Sequence, residues 1–342
     1  MTAEHQGATT GAILLLAHGT PDVLGEMAEY LAKVTGGRPL PQEVVEELQH
    51  RYAEIGLGDD PLPNGPPLTR WTLEQGRLLA EALGQKVYVG MRNWHPYIAE
   101  TLETMRGDGV TRFKAICLAP QNSRTSTGLY RRATAACASG MEMEFVAGWS
   151  DHPLLAEAFA ERLRPVWTEA CVAAGERIPV LFTAHSVPCR TIMTGEASVA
   201  GARPGTPVQA TPDPYPVEAK QTAAMVAERL AADGFTESDW YFAFQSQGVS
   251  GGPWIGPTVE DTLRALAASG AKGVVMQPVG FLCDHVEILY DIDVAFAQTA
   301  RELGLRLWRA ESLNGSATLV RAIAEVARGE WTAEVDETVT VP

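Results

Sequence analysis

The chain has 342 residues, too long for one small hydrophobic core, so its length predicts two domains or one large α/β unit. Hydrophobic residues make up 46% of the sequence and charged residues 20%, a balance typical of a folded protein with a sizeable core. Lys and Arg number 27 against 42 Asp and Glu, and the net charge of -15 disfavours nucleic acids and anionic lipid surfaces as partners.

Short apolar runs bounded by turn residues predict buried strands along the whole chain. In chain order these runs lie at 12–17, 86–91, 114–119, 143–148, 179–184, 240–245, 273–279 and 305–310. Amphipathic stretches such as 71–84 and 258–269 separate the runs and predict helices. Strands that alternate with helices indicate parallel sheets covered on both faces.

The two halves of the chain repeat one pattern. The first predicted strand of each half ends in a similar loop, Ala17-His18-Gly19-Thr20-Pro21 in one and Ala184-His185-Ser186-Val187-Pro188 in the other. We therefore predict an internal duplication of two doubly wound, four-stranded lobes, at 11–165 and 166–328, with flexible tails at 1–10 and 329–342. Ligands of such sheets bind beyond the carboxyl ends of the strands, so we expect a cleft where the lobes meet.

The stretch 189–216 is rich in Pro, Gly and Thr and follows His185 directly. Its five prolines predict that it forms no regular element. Two interpretations stay open, a mobile flap over the cleft and a solvated surface insertion.

Cysteine usage and the N-terminus indicate the compartment. The five Cys are odd in number, irregularly spaced and lack a CxxC motif, which is typical of a reducing compartment. We see no secretion signal and no apolar run of the roughly 20 residues that a membrane span needs. We expect a soluble, cytoplasmic protein.

Ionisable residues collect after the predicted strands. His18 and His185 each follow a buried strand, and Glu287 and Asp291 share one helical face in a third loop. An imidazole beside a carboxylate can transfer protons near neutral pH or bind a divalent metal. The motifs HExxH, GxGxxG and GxSxG are absent, which argues against a zinc hydrolase, a dinucleotide-binding dehydrogenase and an α/β-hydrolase.

At these loops the sequence resembles the ferrochelatases of the class II chelatase group, over roughly residues 12–328. The resemblance is carried by AHGTP at 17–21, RYAEIG at 51–56, TRWTLEQG at 69–76, TAHSVP at 183–188, FQSQGVSGGPWIGPT at 244–258, QPVGFLCDHVEILYDIDVAFAQ at 277–298 and RAESLNGS at 309–316. It implies two Rossmann-like lobes around a porphyrin cleft. It also implies insertion of Fe2+ into a porphyrin with release of two pyrrole protons, and a catalytic His185 opposite Glu287.

Further site residues follow from the residues at these loops. His185 and Glu287, with His18 and Asp291 added from their residue types, are candidate metal ligands, and Trp254 and Phe281 are candidate walls that hold the ring bent. The candidates for binding the porphyrin carboxylates are Arg51, Tyr52, Arg38 and the Ser123–Thr127 loop with Ser123 and Thr125.

Some positions depart from the family pattern. Many relatives carry an aromatic residue or Met where this chain has His18, and Ala295 interrupts the usual row of acids. No Cys follows Cys283, so we expect no iron–sulfur cluster and no tightly bound cofactor, with Fe2+ as a substrate only. We expect a monomer that acts on coproporphyrin III or protoporphyrin IX, with a preference for the former. The alternatives are another tetrapyrrole chelatase, such as one for cobalt, and a haem or porphyrin carrier.

Overall fold

The computed structural model describes residues 11–200, 205–248 and 252–330. Its strands are Gly11–Ala17 (β1), Val87–Met91 (β2), Arg112–Cys117 (β3), Glu142–Val146 (β4), Val180–His185 (β5), Trp240–Gln245 (β6), Gly273–Pro278 (β7) and Arg306–Arg309 (β8). Every predicted strand is therefore confirmed, with bounds shifted by no more than a few residues. Of the tails predicted at 1–10 and 329–342, residues 1–10 and 331–342 lie outside the described residues.

The strands form two parallel sheets of four strands each. The first sheet has the order β2-β1-β3-β4 and the second the order β6-β5-β7-β8, so the same topology occurs twice. In the central strands β1, β5 and β7 almost every residue is buried, as expected for strands covered by helices on both faces. The predicted pair of similar doubly wound lobes is confirmed.

Helices cover the faces of both sheets. They are Met27–Val34 (α1), Gln42–Glu54 (α2), Pro67–Leu83 (α3), Ile98–Gly107 (α4), Thr127–Cys137 (α5), Pro153–Ala174 (α6), Cys189–Ile192 (α7), Tyr215–Arg229 (α8), Val259–Ala268 (α9), Val286–Leu289 (α10), Ala297–Glu302 (α11) and Ala317–Arg328 (α12). A π-helical segment, Asp291–Phe296, lies between α10 and α11. Within the described residues no helix is long and apolar enough to cross a membrane.

One hydrophobic core joins the two lobes. Leu15 of the first sheet and Phe182 of the second belong to the same buried cluster, which α6 fills with Phe159 and Leu163. Helix α6 contacts α8, α12, β7 and β8, while α12 reaches back to α3. The lobe boundary that we predicted at 165/166 falls inside α6.

This shared core predicts that the lobes unfold together. Phe159 is fully buried, so Phe159→Ala is expected to lower the free energy of unfolding by about 3–5 kcal/mol. Val172, on the same helix, is 78% exposed, and Val172→Ala should stay within about 0.5 kcal/mol of the parent. Denaturant unfolding followed by circular dichroism measures both values. Two separate transitions in the parent protein would contradict the shared core.

The stretch 189–216 contains more structure than predicted. The short helix α7 lies inside it, so the prediction of no regular element is wrong at that point. The reason is that the five prolines of this stretch all follow α7, the first of them at residue 204, so none of them interrupts its turn. The guanidinium of Arg124, from the loop after β3, donates to the Thr191 carbonyl oxygen at 2.8 Å and so fastens this stretch to the first lobe.

Candidate functional site

The carboxyl ends of neighbouring strands bring His185 and Glu287 into contact. His185 is the last residue of β5, and Glu287 lies in the first turn of α10, shortly after β7. The imidazole Nε2 lies 3.2 Å from the Glu287 Oε1, and each side chain is about one-third exposed. Both residues belong to the second lobe, so the imidazole and carboxylate face each other within one wall of the cleft.

Close backbone packing makes this approach possible. Gly280, which follows β7, lies against Ala184, and a Cβ at residue 280 would come within 2.8 Å of the Ala184 Cβ. Real side chains do not tolerate such a contact, so glycine is required where the ends of β5 and β7 meet. The Tyr215 hydroxyl donates to the His185 carbonyl oxygen at 2.8 Å and holds the end of β5 in place.

The contact between His185 and Glu287 is an ion pair. Burial alone would lower the pKa of His185, but the Glu287 carboxylate outweighs burial and raises that pKa to about 9. Burial likewise opposes the charge of Glu287, yet His185 and His285 together hold the pKa of Glu287 well below its usual range. At neutral pH the resting site therefore contains an imidazolium and a carboxylate.

A second imidazole, His285, completes the environment of Glu287. Its Nε2 lies 3.4 Å from the Glu287 Oε2, and its Nδ1 lies 2.9 Å from the Cys283 carbonyl oxygen. Glu287 thus bridges two imidazoles, one on each carboxylate oxygen. The sequence analysis did not select His285, although its position two residues before Glu287 was visible in the loop after β7.

Asp291 lies further along the same segment and is largely buried. The Ser246 hydroxyl donates to its Oδ2 at 2.5 Å. Ser246 has a φ of 61°, a conformation uncommon for a residue with a side chain, and this turn after β6 directs the hydroxyl towards Asp291. Burial raises the pKa of Asp291, with Glu287 adding to the effect, so Asp291 is suited to taking up a proton or a cation. Ser246 is a second residue that the sequence analysis missed.

His18 faces this site from the first lobe. Its Nε2 lies 2.9 Å from the Asn93 Nδ2, and its Nδ1 lies 3.2 Å from the Tyr30 hydroxyl. Burial, together with the charge of Arg92, lowers the pKa of His18 to about 4, so the ring is neutral at physiological pH. Because both ring nitrogens have partners, metal binding by His18 would require one of these contacts to break.

Trp254 and Phe281, the candidate walls of the cleft, lie beside His185. The ring centroids of Trp254 and Phe281 are each 6.4 Å from that of His185, and both rings are half-buried. Phe281 also packs against His285, with centroids 4.7 Å apart. An apolar surface therefore flanks the ion pair.

Arg51 and Tyr52, adjacent in the sequence, occupy different environments. Arg51 is partly exposed, with its Nε 3.0 Å from Glu47 and its Nη1 3.7 Å from Asp291 across the cleft. Tyr52 instead packs in the apolar cluster of the first lobe, and its hydroxyl accepts a hydrogen bond from Thr20 at 3.2 Å. Arg51 can thus reach a ligand in the cleft, whereas the Tyr52 hydroxyl is already engaged.

The remaining carboxylate-binding candidates are dispersed. Arg38 is exposed on the loop between α1 and α2, with its Nε 3.5 Å from the Thr35 carbonyl oxygen. Ser123 is buried, and its hydroxyl lies 2.9 Å from that of Thr125 and 3.5 Å from Asp213. The Ser123 hydroxyl is therefore used within the protein rather than presented to the cleft.

No group of three or more His, Cys, Asp and Glu side chains could hold a metal ion in the part of the chain that the structure describes. The pair His185 and Glu287, with Asp291 beyond it, offers instead an incomplete set of ligands.

Two doubly wound lobes with a charged imidazole–carboxylate pair at the strand ends define a two-lobed α/β protein with a candidate proton-transfer or metal site at the strand ends. The family comparison gives the narrower class. The chain belongs to the ferrochelatase family, whose model, described as "Ferrochelatase", matches residues 10–330. Its activity is the one that the sequence resemblance predicted, insertion of Fe2+ into a porphyrin in haem biosynthesis.

Individual relatives are similar over nearly their whole length. A protein named ferrochelatase from Acidobacterium capsulatum is 58% identical over 319 residues, covering 93% of each chain. A coproporphyrin III ferrochelatase from Geobacillus kaustophilus is 30% identical and covers 96% of this chain and 98% of its own. Among solved structures, SirB from Bacillus subtilis with Fe3+ is 11% identical, with a TM-score of 0.49 over 94% of this chain and 96% of that chain.

Proposed function

We propose that Fe2+ enters the porphyrin at the His185–Glu287 pair and that this pair handles the protons that the ring releases. The observation that carries the proposal is the 3.2 Å contact between the two side chains, flanked by Trp254 and Phe281. Aromatic walls beside the pair would hold the macrocycle over it and favour a bent ring, in which a nitrogen lone pair points at the incoming metal.

The charge state of the pair sets the order of events. A protonated His185 cannot accept a pyrrole proton, so it must first lose its own. An arriving Fe2+ would bind the Glu287 carboxylate, remove the counter-charge that keeps the imidazole protonated, and lower the pKa of His185. The displaced proton has a neighbouring acceptor in Asp291, whose pKa is raised by burial. Neutral His185 can then take the two pyrrole protons in turn as the metal–nitrogen bonds form, passing the first to solvent before it accepts the second. The His185 side chain is about one-third exposed, which leaves that route open.

The porphyrin that we propose is coproporphyrin III rather than protoporphyrin IX. Support comes from the strongly acidic chain, which disfavours docking on the anionic lipid surface from which a more hydrophobic ring would be taken. The Geobacillus relative named for coproporphyrin III covers almost all of the chain.

Turnover on the two porphyrins tests this preference. With anaerobic Fe2+, we expect kcat/KM for coproporphyrin III to exceed that for protoporphyrin IX by about tenfold, a difference of ~1.4 kcal/mol. Equal values would contradict the preference, and a lack of insertion into either ring would contradict the proposed function.

We also propose a cytoplasmic monomer without a resident iron–sulfur cluster. The five cysteines are free thiols, as is typical of a reducing compartment. They are spread over separate elements at Cys117, Cys137, Cys171, Cys189 and Cys283. Sedimentation of the purified protein tests the monomer, and iron and sulfide analysis tests the missing cluster; a dimer would contradict the first and stoichiometric sulfide the second.

A further inference from the structure

Arg92 carries a charge that the protein itself leaves unpaired. It follows β2 directly, and its half-buried guanidinium lies 5.9 Å from the centre of the Tyr130 ring. Among the described residues, the Nε has no hydrogen-bond partner, and no carboxylate lies within 4.0 Å of the guanidinium. Burying a charge without a partner is unfavourable, which makes Arg92 unusual.

Carboxylate partners for arginine are abundant in this chain, which has 42 acidic residues. Many of its arginines have a carboxylate within ion-pair distance. They include Arg51, Arg77, Arg112, Arg162, Arg164, Arg177, Arg229, Arg264, Arg309 and Arg328. Other arginines without such a carboxylate, for example Arg38 and Arg131, are exposed to solvent, whereas Arg92 is half-buried and its Nε is buried without a partner. The burial of this unpaired guanidinium suggests that a ligand supplies the anion.

A second cation lies beside the first. Arg132, on α5, is exposed and also lacks a carboxylate within 4.0 Å in the described part of the chain. Its charge is close enough to Arg92 to add to burial in lowering the pKa of that guanidinium. Its Nη1 lies 3.9 Å from where a Cβ would stand at Gly128, so its guanidinium folds towards the first turn of α5. That end of the helix contributes a partial positive charge. The two guanidinium groups and the helix end thus favour one negative group between them.

The position of Arg92 connects this charge to the cleft. The next residue, Asn93, contacts His18 through its side-chain amide, and its backbone N–H donates to the His18 carbonyl oxygen at 2.9 Å. The charge of Arg92 is also close enough to help lower the pKa of His18. The unpaired cation therefore lies beside the first-lobe wall that faces Glu287.

We infer that Arg92 and Arg132 form a second carboxylate-binding subsite, separate from Arg51, that takes a carboxylate side chain of the porphyrin. A planar guanidinium fits a carboxylate with two parallel hydrogen bonds, and a partly buried position strengthens the pairing. The inference rests on the proposed function, because the ligand is the proposed substrate of this cleft. It assigns Arg92 a role in binding the ring, whereas His185 and Glu287 act on the metal and the protons.

The experiment measures porphyrin binding without iron, so its result does not depend on the proposed chemistry. Metal-free coproporphyrin III and a ring of similar size without carboxylates are titrated by fluorescence quenching against the parent, Arg92→Gln and Arg131→Gln. Arg131 is a matched control, since it is the neighbour of Arg132 on α5 but packs over Phe145, with its guanidinium 5.9 Å from the centre of that ring.

We expect Arg92→Gln to weaken coproporphyrin binding about tenfold, which corresponds to ~1.4 kcal/mol. Binding of the carboxylate-free ring, and binding of either ring to Arg131→Gln, should stay within about twofold, or less than ~0.5 kcal/mol. Unchanged coproporphyrin binding in Arg92→Gln, or an equal loss for both rings, would overturn the subsite.

If Arg92→Gln does not fold, Arg132→Gln carries the test, with the same selective loss expected and the same results contradicting it. Failure of the proposed function would look different: insertion would be absent from the parent protein while selective binding persisted.

Discussion

Replacing His185 with alanine is expected to lower kcat for iron insertion by roughly a thousandfold, because a positioned acid–base group contributes about 10²–10⁴ in rate. Binding of metal-free porphyrin should stay within about tenfold of the parent, or ~1.4 kcal/mol, since the flanking rings of Trp254 and Phe281 remain. Anaerobic assays with Fe2+ measure the first quantity, and fluorescence quenching measures the second.

His95 provides the matched control for this substitution. Its side chain is 56% exposed on the surface of the first lobe, with its Nδ1 3.2 Å from Glu100 and its ring beside those of Trp94 and Tyr97. His95→Ala should therefore leave both insertion and porphyrin binding near the parent values. Normal turnover in His185→Ala would remove His185 from the chemistry, and an equal loss in both variants would show that the effect is not specific to the ion pair.

Replacing Glu287 with glutamine is expected to move the pH dependence of insertion to lower pH. Glu287 raises the pKa of His185 to about 9, so the neutral, proton-accepting imidazole of the parent accumulates only as the pH approaches that value. The parent kcat/KM should therefore rise with pH up to about 9. Without the carboxylate, burial acts against the imidazolium, and the rise should shift down by roughly two units, towards the ordinary histidine pKa of about 6.5.

The measurement is a pH profile of kcat/KM for the porphyrin, since that ratio reports the ionisation of the free enzyme. We expect Glu287→Gln to have a lower maximum as well, because it lacks the carboxylate that receives the metal. An Asp284→Asn variant is a useful comparison, because Asp284 lies in the same loop but pairs with Arg309 instead. Identical pH dependence in the parent and Glu287→Gln would contradict the coupling between the two side chains.

The sequence predicted the strands well because their physical signal is strong. A strand buried on both faces must be apolar at almost every position, and runs such as 12–17 and 273–279 satisfy this requirement without any knowledge of their neighbours. The matching loops at His18 and His185 predicted the duplication. In the structure they follow β1 and β5, which are equivalent strands of the two sheets.

The environment of individual side chains was harder to predict. Arg51 and Tyr52 were selected together, but consecutive residues of a helix point about 100° apart, so only one of them faces the cleft. In the structure Arg51 faces Asp291, and Tyr52 packs in the first-lobe cluster. A motif specifies neighbours in the sequence, and the helix then separates them in space.

Contacts between distant segments were equally invisible in the sequence. The partners of His18 come from Asn93 and Tyr30, and the hydroxyl that reaches Asp291 comes from Ser246, 45 residues away. The joint core around α6 also depends on how the two sheets pack. These features follow from tertiary packing, which no local pattern of residue types encodes.

The central claim is that the metal meets the ring at the His185–Glu287 pair, and a crystal structure with metal-free coproporphyrin III tests it most directly. We expect a ring packed against Trp254 and Phe281, with its centre close enough for the His185 imidazole to reach a pyrrole nitrogen, at about 3 Å or through one water. A ring seated with its centre beyond the reach of both His185 and Glu287 would contradict the account.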